Sequence, residues 1–409
     1  MLLRSRILVP VTTPPIDDGG VWVSDGRIAA AGQWSEVSRQ AGNQEVVDLG
    51  DVALMPGLVN AHAHLEYTGM AGLFTGANGF AQWIRSIVAA RQNFGADAAT
   101  EHWLAGASLL LDSGTTMVAD NQTTVSTKAA KPQLTPLSVV PFIEMTGVIS
   151  GRPPADILAG AESFLSPGPL GGGFSPHSPY STLPALLEMT ATRGDELERV
   201  TTIHVAESAE EFDMFVHRQG ALYELVAGLG RPMDDCDGRT PLQHLAKCGL
   251  LKRNTLLAHA NYLTNEDLSL LANSLASVVH CPGSHAFFEH QPFLYDELVR
   301  REVNVCLGTD SLASMNGDGD APPELNMLTE MRRFQQKNPR VAPREILAMA
   351  TINGAIALGL GQEVGSLNSG SRADLIAVSC TGSVRQVEES IISVATRVEA
   401  SFIGGRRIK

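Results

Sequence analysis

The chain has 409 residues, 44% of them hydrophobic and 18% charged, the balance of a globular enzyme with a sizeable core and not of a disordered or collagen-like chain. Thirty Lys and Arg against 44 Asp and Glu leave a net charge of −14, which opposes non-specific binding to nucleic acid or to an anionic membrane surface. No stretch approaches the ~18 uninterrupted apolar residues of a membrane span, and the opening MLLRSRILVPV interrupts its apolar run with Arg4, Ser5 and Arg6, so no membrane association and a cytoplasmic location are expected.

Residues 1–54 read as short strands: 2–9, 20–24 and 27–32 are apolar or alternating runs separated by Pro-Pro, Asp-Asp-Gly and Asp-Gly turn signals. Apolar strand candidates then alternate with helical patterns: LVNAH, TTMVAD, LSVVPFIEM, GGFSPHS, VTTIHVA, TLLAHA, ASVVHC and VNVCLGTD, with helix-period segments such as 80–92 and 323–334 between them. Eight buried parallel strands with helical crossovers meet the requirements of a closed barrel. After Gly365, ADLIAVS and 397–403 are again strand-like. The expected fold is α/β: a (β/α)8 TIM barrel over 55–365 carrying a small discontinuous β-sandwich domain built from 1–54 and 366–409. The five cysteines, Cys236, Cys248, Cys281, Cys306 and Cys380, form no CxxC pair, and an odd number in a chain this long points to reduced thiols.

Barrel strands should be apolar, yet several carry His or Asp at or near the C-terminal end, where a barrel keeps its active site. His62 and His64 end the first strand, and the strand period of two points both imidazoles toward the axis. His204 ends the fifth strand in TTIHVAES, His259 the sixth in LLAHA, and Asp310 the eighth in CLGTD. Three imidazoles and one carboxylate match the nitrogen and oxygen preferences of zinc and leave a position for water. A single such histidine reads more readily as a hydrogen-bonded core residue; four together do not. There is no GxSxG elbow, no GxxxxGK[ST] loop and no HxE…PCxxC set. The glycine run 171–173 lacks the context of an anion nest and marks the entry to strand four.

MPGLVNAHAHLE entering strand one, HVAES on strand five, LLAHA on strand six and LGTDS on strand eight resemble the amidohydrolase superfamily, in particular its mononuclear nucleoside- and heterocycle-deaminating branch, over essentially the whole chain. The resemblance implies that His62, His64, His204 and Asp310 bind one divalent metal, zinc first, with iron or manganese as alternatives. It makes Glu207 the proton shuttle and His259 the group that orients the attacking water, with Asp310 accepting the water's proton. The same chemistry follows from the parts: a divalent metal lowers the pKa of water toward ~7, and a buried carboxyl can protonate the ring nitrogen beside the attacked carbon. Taken alone, Glu207 reads equally as a helix-start carboxylate favoured by the dipole. Binuclear members place a carboxylated lysine at the end of strand four; here GGGFSPHSPY offers His177 instead, which in related deaminases sits beside the substrate.

Adenosine-type relatives carry a Trp and a downstream ribose-gripping Glu after strand one. Trp83 is retained, but Arg91 and Gln92 occupy the Glu region. HAHLEYTGMAG looks closer to aminodeoxyfutalosine deaminases than to methylthioadenosine or S-adenosylhomocysteine deaminases. The expected activity is hydrolytic deamination of a 6-amino purine nucleoside, aminodeoxyfutalosine before methylthioadenosine, S-adenosylhomocysteine or adenosine. A hydrolase of a triazine, pterin, pyrimidine or cyclic amide is the alternative, and a metal-free scaffold the least favoured. Glu66 either hydrogen-bonds the substrate or caps the adjoining loop; Arg152 either pairs with a substrate carboxylate or is solvated; Ser311 follows Asp310 and is counted with the substrate-binding residues. His285, in CPGSHAFF, stands where relatives commonly show Asn. The segment 219–240 is of lid length and reads equally as a short helix on the barrel rim. A small-molecule substrate and a homo-oligomer, a dimer, complete the expectations.

Overall fold

The computed structural model describes residues 1–123, 134–148, 151–168, 170–317, 322–393 and 396–409. Strands β1 (Leu2–Leu8), β2 (Ile16–Ser24), β3 (Arg27–Gln33), β4 (Val46–Asp48) and β5 (Val52–Pro56) precede the barrel strands β6 (Leu58–Ala63), β7 (Thr115–Gln122), β8 (Ser138–Met145), β9 (Gly173–Pro176), β10 (Thr201–Val205), β11 (Thr255–His259), β12 (Ser277–His280) and β13 (Val305–Leu307). The chain then returns as β14 (Leu375–Ser379), β15 (Val398–Ile403) and β16 (Arg406–Arg407).

The terminal strands form one sheet in the order β16-β15-β14-β5-β1-β2-β3, with β4 added on β1. β14, from the C-terminal end, pairs antiparallel with β5, Leu375 opposite Pro56 and Ser379 opposite Val52, so the two ends of the sequence share one core. Side chains alternate across this sheet. Leu3, Leu8, Leu54, Leu375, Ala377 and Phe402 pack among themselves, whereas Ile7, Ala53, Met55, Ile376 and Val378 point the other way and join the large core beneath the barrel. The change from one sheet to the other falls at Gly57, between β5 and β6.

The barrel strands run β6 to β13 in sequence order, all pairs parallel. Closure between the first and last strands is made by the Ala63–Asp310 bridge. Helices α1 (Trp34–Ala41), α2 (Phe80–Arg91), α3 (Ala96–Asp112), α4 (Pro154–Glu162), α5 (Pro184–Glu196), α6 (Ala209–His217) and α7 (Ala221–Gly228) lie in connections ahead of strand β11. Of these, α2 and α7 stand over the C-terminal rim, where Phe80, Leu222 and Val226 pack with Trp83, Ile84 and Leu225. The helix expected over 323–334 begins instead at Met327 and ends at Lys337. Asn326 sets that start, its side chain accepting from the amides of Leu328 at 2.9 Å and Thr329 at 3.3 Å. All five cysteines are free, and among the described residues no helix is long and apolar enough to cross a membrane.

Candidate active site

The polar strand ends converge on one point because the barrel closes tightly there. Thr309 and Asp310 donate their amides to the His62 carbonyl at 3.1 and 3.0 Å, and His64 N donates to the Asp310 carbonyl at 3.3 Å. The Asn60 carboxamide clips the two strands together, giving a hydrogen to Thr309 Oγ1 at 2.8 Å and accepting one from Thr309 N at 3.1 Å. Gly308 permits this approach: a Cβ there would lie 2.8–3.0 Å from His62 atoms. Past the strand ends the backbone turns left-handed at non-glycine residues, with φ of +74° at His259 and +56° at Asp310, a conformation that costs of order 1–3 kcal/mol and persists where the surroundings enforce it.

His64 Nε2 lies 3.1 Å from His204 Nε2 and 3.7 Å from Asp310 Oδ1, and His62 Nε2 lies 3.8 Å from the same oxygen. His259 Nε2 is 3.5 Å from Glu207 Oε1. The ligand atoms of His62, His64 and His204 lie within 4.8 Å of one another, as do those of Glu207, His259 and Asp310. Both ring nitrogens of His62, together with His64 Nδ1 and His259 Nε2, are buried without a hydrogen-bond partner. Such atoms cost free energy unless something polar or charged meets them. Neutral imidazoles beside a carboxylate are the donor set of a divalent transition metal, so these residues fit a metal centre.

The protonation states follow from burial. His62 and His64 are held well below the ordinary histidine range, first by desolvation and then by neighbouring imidazoles, and His204 is lowered to about 4 by desolvation. All three are therefore neutral and able to bind metal at neutral pH. Desolvation raises Asp310 to about 6. Glu207 is pushed well above the carboxylate range by burial, then by Asp310 and Glu211, a shift that favours its protonated form. A bound cation would oppose these carboxyl shifts.

Above the cluster opens a cavity of about 530 Å³ lined by His64, His177, His204, Glu207, Asp310 and Ser311 at its floor and by Trp83, Ile84, Leu222, Leu225, Val226 and Leu229 at its wall. Trp83 is held by its indole N–H on the Ala313 carbonyl at 2.9 Å, and His177 by Ser181 Oγ at 2.7 Å from Nδ1. Within the segment 219–240, α7 is a short rim helix whose Leu222, Leu225 and Val226 form cavity wall.

Two expected substrate contacts lie elsewhere. Glu66 lines an adjoining cavity of about 270 Å³, and its carboxylate accepts from Thr123 Oγ1 at 2.8 Å and Thr123 N at 3.3 Å, which ties the strand-one loop to the end of β7. Arg152 is exposed and outside the cavity lining: Pro153 and Pro154 turn the chain into α4, and the guanidinium folds over that helix's first turn to the Asp156 carbonyl at 2.9 Å. His285 is likewise turned away, with Nε2 on the Gln291 carbonyl at 2.8 Å.

Three carboxyls beside the site escaped the sequence reading. Asp120, on β7, accepts from Leu65 N at 3.0 Å, Trp103 Nε1 at 2.7 Å and Gln122 Nε2 at 2.7 Å, fixing the turn that follows His64. Glu211 accepts from Glu207 N at 2.8 Å. Glu144, near the end of β8, lines the cavity with Oε1 3.7 Å from His64 Nδ1. The available signal was an acidic residue near the C-terminal end of an otherwise apolar strand, the same signal that marks Asp310. Arg91, also on the wall, lies over the Tyr67 ring at 5.8 Å.

The comparisons with known proteins bear on the fold and the family. The model of the amidohydrolase family matches residues 53–407. A 5-methylthioadenosine/S-adenosylhomocysteine deaminase of Teredinibacter turnerae is 30% identical over 88% of this chain and 79% of its own. An adenosine deaminase from Xanthomonas campestris with bound zinc superposes with a TM-score of 0.83 at 25% identity, covering 99% of this chain and 92% of that one. Helicobacter pylori aminofutalosine deaminase, in complex with methylthio-coformycin, shares the fold over 100% of both chains, with a TM-score of 0.84 at 20% identity. With its barrel, its terminal sheet and its histidine-rich rim, the chain belongs to the amidohydrolase family and is a hydrolytic enzyme acting on C–N bonds.

Proposed function

We propose that the enzyme deaminates a 6-amino purine nucleoside, with one divalent ion, zinc foremost, held by His62, His64, His204 and Asp310. The observation that carries this reading is the meeting of Glu207 and His259 with Asp310 beside three ligand imidazoles, at the floor of a cavity large enough for a nucleoside. When bound, the ion lowers the pKa of water toward ~7 and so supplies the nucleophile. Glu207, protonated through burial, gives its proton to the ring nitrogen next to the attacked carbon. His259 orients the entering oxygen, and Asp310 takes the water's proton for return to the departing amine. Water enters, the C–N bond breaks, and ammonia leaves.

The relatives named for methylthioadenosine, S-adenosylhomocysteine and adenosine support the nucleoside class. Within it, the wall selects the extension. The Arg91 guanidinium forms no side-chain hydrogen bond or ion pair among the described residues, lying over Tyr67 with Glu66 and Glu144 in its field, and Arg85 stands on the same wall. A carboxylate on the substrate's 5′ side meets a guanidinium that holds no bidentate partner there, beside the apolar face of α7. Aminodeoxyfutalosine, whose 5′ extension is an aromatic carboxylate, therefore comes first and S-adenosylhomocysteine second, ahead of methylthioadenosine and adenosine. The test is ammonia release across these substrates at matched pH, compared as kcat/KM. Arg91→Ala is expected to narrow the preference for the carboxylated substrates and to leave methylthioadenosine unchanged. Turnover of a triazine, pterin or pyrimidine, with every adenine nucleoside inert, overturns the substrate class and leaves the metal chemistry standing.

A further inference from the structure

A metal ligand must be aimed as well as present. An imidazole that binds through one ring nitrogen usually donates its other N–H to a carboxylate or carbonyl, which sets the tautomer, fixes the ring plane and raises the basicity of the ligating nitrogen. His204 is held in this way: its Nδ1 lies 2.7 Å from the His177 carbonyl, leaving Nε2 for the cluster. His64 presents Nε2 to His204 and Asp310, and its Nδ1 points away from them, buried and without a partner.

The atom nearest to an answer is Glu144 Oε1, 3.7 Å away and likewise buried without a hydrogen-bond partner. Both side chains are only 6% exposed. A buried imidazole N–H and a buried carboxylate oxygen each cost free energy when unsatisfied, and a shift of under about 1 Å, within reach of a side-chain rotation, brings this pair to hydrogen-bond distance. Glu144 stands near the C-terminal end of β8, two strands along the barrel from β6, which His64 follows.

Resting on the metal-site reading above, we propose that Glu144 is the outer carboxylate of His64: a positioning residue that accepts a hydrogen bond from His64 Nδ1 and so directs Nε2 to the metal. Two rival roles are open to the same side chain. It lines the substrate cavity and could touch substrate directly, and it lies close enough to His177 and His204 to share a second ion with them.

Metal affinity separates these roles. Full-length wild type, Glu144→Gln and Glu144→Ala are each loaded with zinc, and dissociation constants are measured by competition with a chelator of known affinity, beside ion stoichiometry and kcat and KM. Loss of an outer partner of this kind typically weakens metal binding 10–100-fold. That range is expected for Glu144→Ala, with Glu144→Gln between it and wild type because the amide oxygen still accepts from Nδ1. Unchanged zinc affinity in both variants with a raised KM would reassign Glu144 to the substrate and overturn the proposal. Two ions in wild type, falling to one in Glu144→Ala, would overturn it in favour of a shared ligand. A wild-type chain that binds no ion removes the metal reading itself, a result distinct from either of these.

Discussion

The rim of the barrel and the terminal sheet obey opposite rules. In the sheet, alternate residues of β5 and β14 divide between two apolar cores, as strand geometry dictates. At the rim, His62, His64, Glu207, His259 and Asp310 are buried at 0–5% exposure, several of their polar atoms lack partners, and His259 and Asp310 sit in left-handed backbone. Groups that a stable core would exclude are gathered where strands end, and the apolar sheet and barrel interior supply the stability that tolerates them. Substitutions at the two places should therefore fail in opposite ways.

The largest expected effect is at the rim. His62→Ala removes a deep imidazole with no hydrogen bond to lose, so metal content and turnover should fall to background together while the melting temperature of the metal-free protein shifts little. Elemental analysis beside thermal unfolding checks this; an active, metal-replete variant would remove His62 from the ligand set. Glu207→Gln should keep its metal and lose on the order of 10²–10⁴ in kcat, the range of one acid–base group. Loss of the ion, or a rate near wild type, counts against the proton-transfer role.

In the sheet the pattern reverses. Leu54 is fully buried and far from any group with chemistry, so Leu54→Ala should cost about 2–5 kcal/mol of stability with kcat/KM per folded molecule unchanged. Denaturant titration and activity at a permissive temperature read the two halves separately. A specific loss of kcat there would mean that the sheet shapes the rim, and the contrast would dissolve.

The same contrast explains what could be read from the sequence. All eight barrel strands were legible because parallel strands buried on both faces are apolar runs, and the histidines and Asp310 were legible because they interrupt those runs. Glu144 and Asp120 interrupt apolar strands as Asp310 does but stand outside the motifs that carry the family resemblance, and Glu211 was missed because an acidic letter in the first turn of a helix reads the same exposed or buried. Of the two readings left open for Arg152 the exposed position fits the solvated one: it follows a strand end, but the Pro153–Pro154 pair turns it to the first turn of α4 and the Asp156 carbonyl. The start of the helix at Met327 was misplaced because Pro322 and Pro323 resemble a helix entry, while the side chain that caps the first turn belongs to Asn326. The rim position of Glu66 was legible; that its partner is Thr123 depends on β7 ending beside it.

The smallest effect tests whether the rim's buried carboxyls are held neutral. Desolvation raises Glu211 to about 8 against the lowering effect of the Glu207 and Ala206 amides, and its Oε1 has no partner, the arrangement of a protonated carboxyl. In the unfolded chain the group titrates near the usual ~4.3. Between that value and about 8 the native state keeps a proton that the unfolded state has released, so unfolding releases a proton and stability must fall as pH rises. Glu211's contribution is fully present below ~4.3 and is lost through the window, at a limiting slope of about 1.4 kcal/mol per pH unit for one group. Glu211→Gln preserves the shape and the carbonyl that accepts from Glu207 N but cannot titrate. Unfolding free energies of variant and wild type with equal metal content, measured from pH 5 to 8, should therefore diverge in slope, the variant's decline with pH being shallower by up to that amount. Parallel curves would show that Glu211 is ionised in the native state.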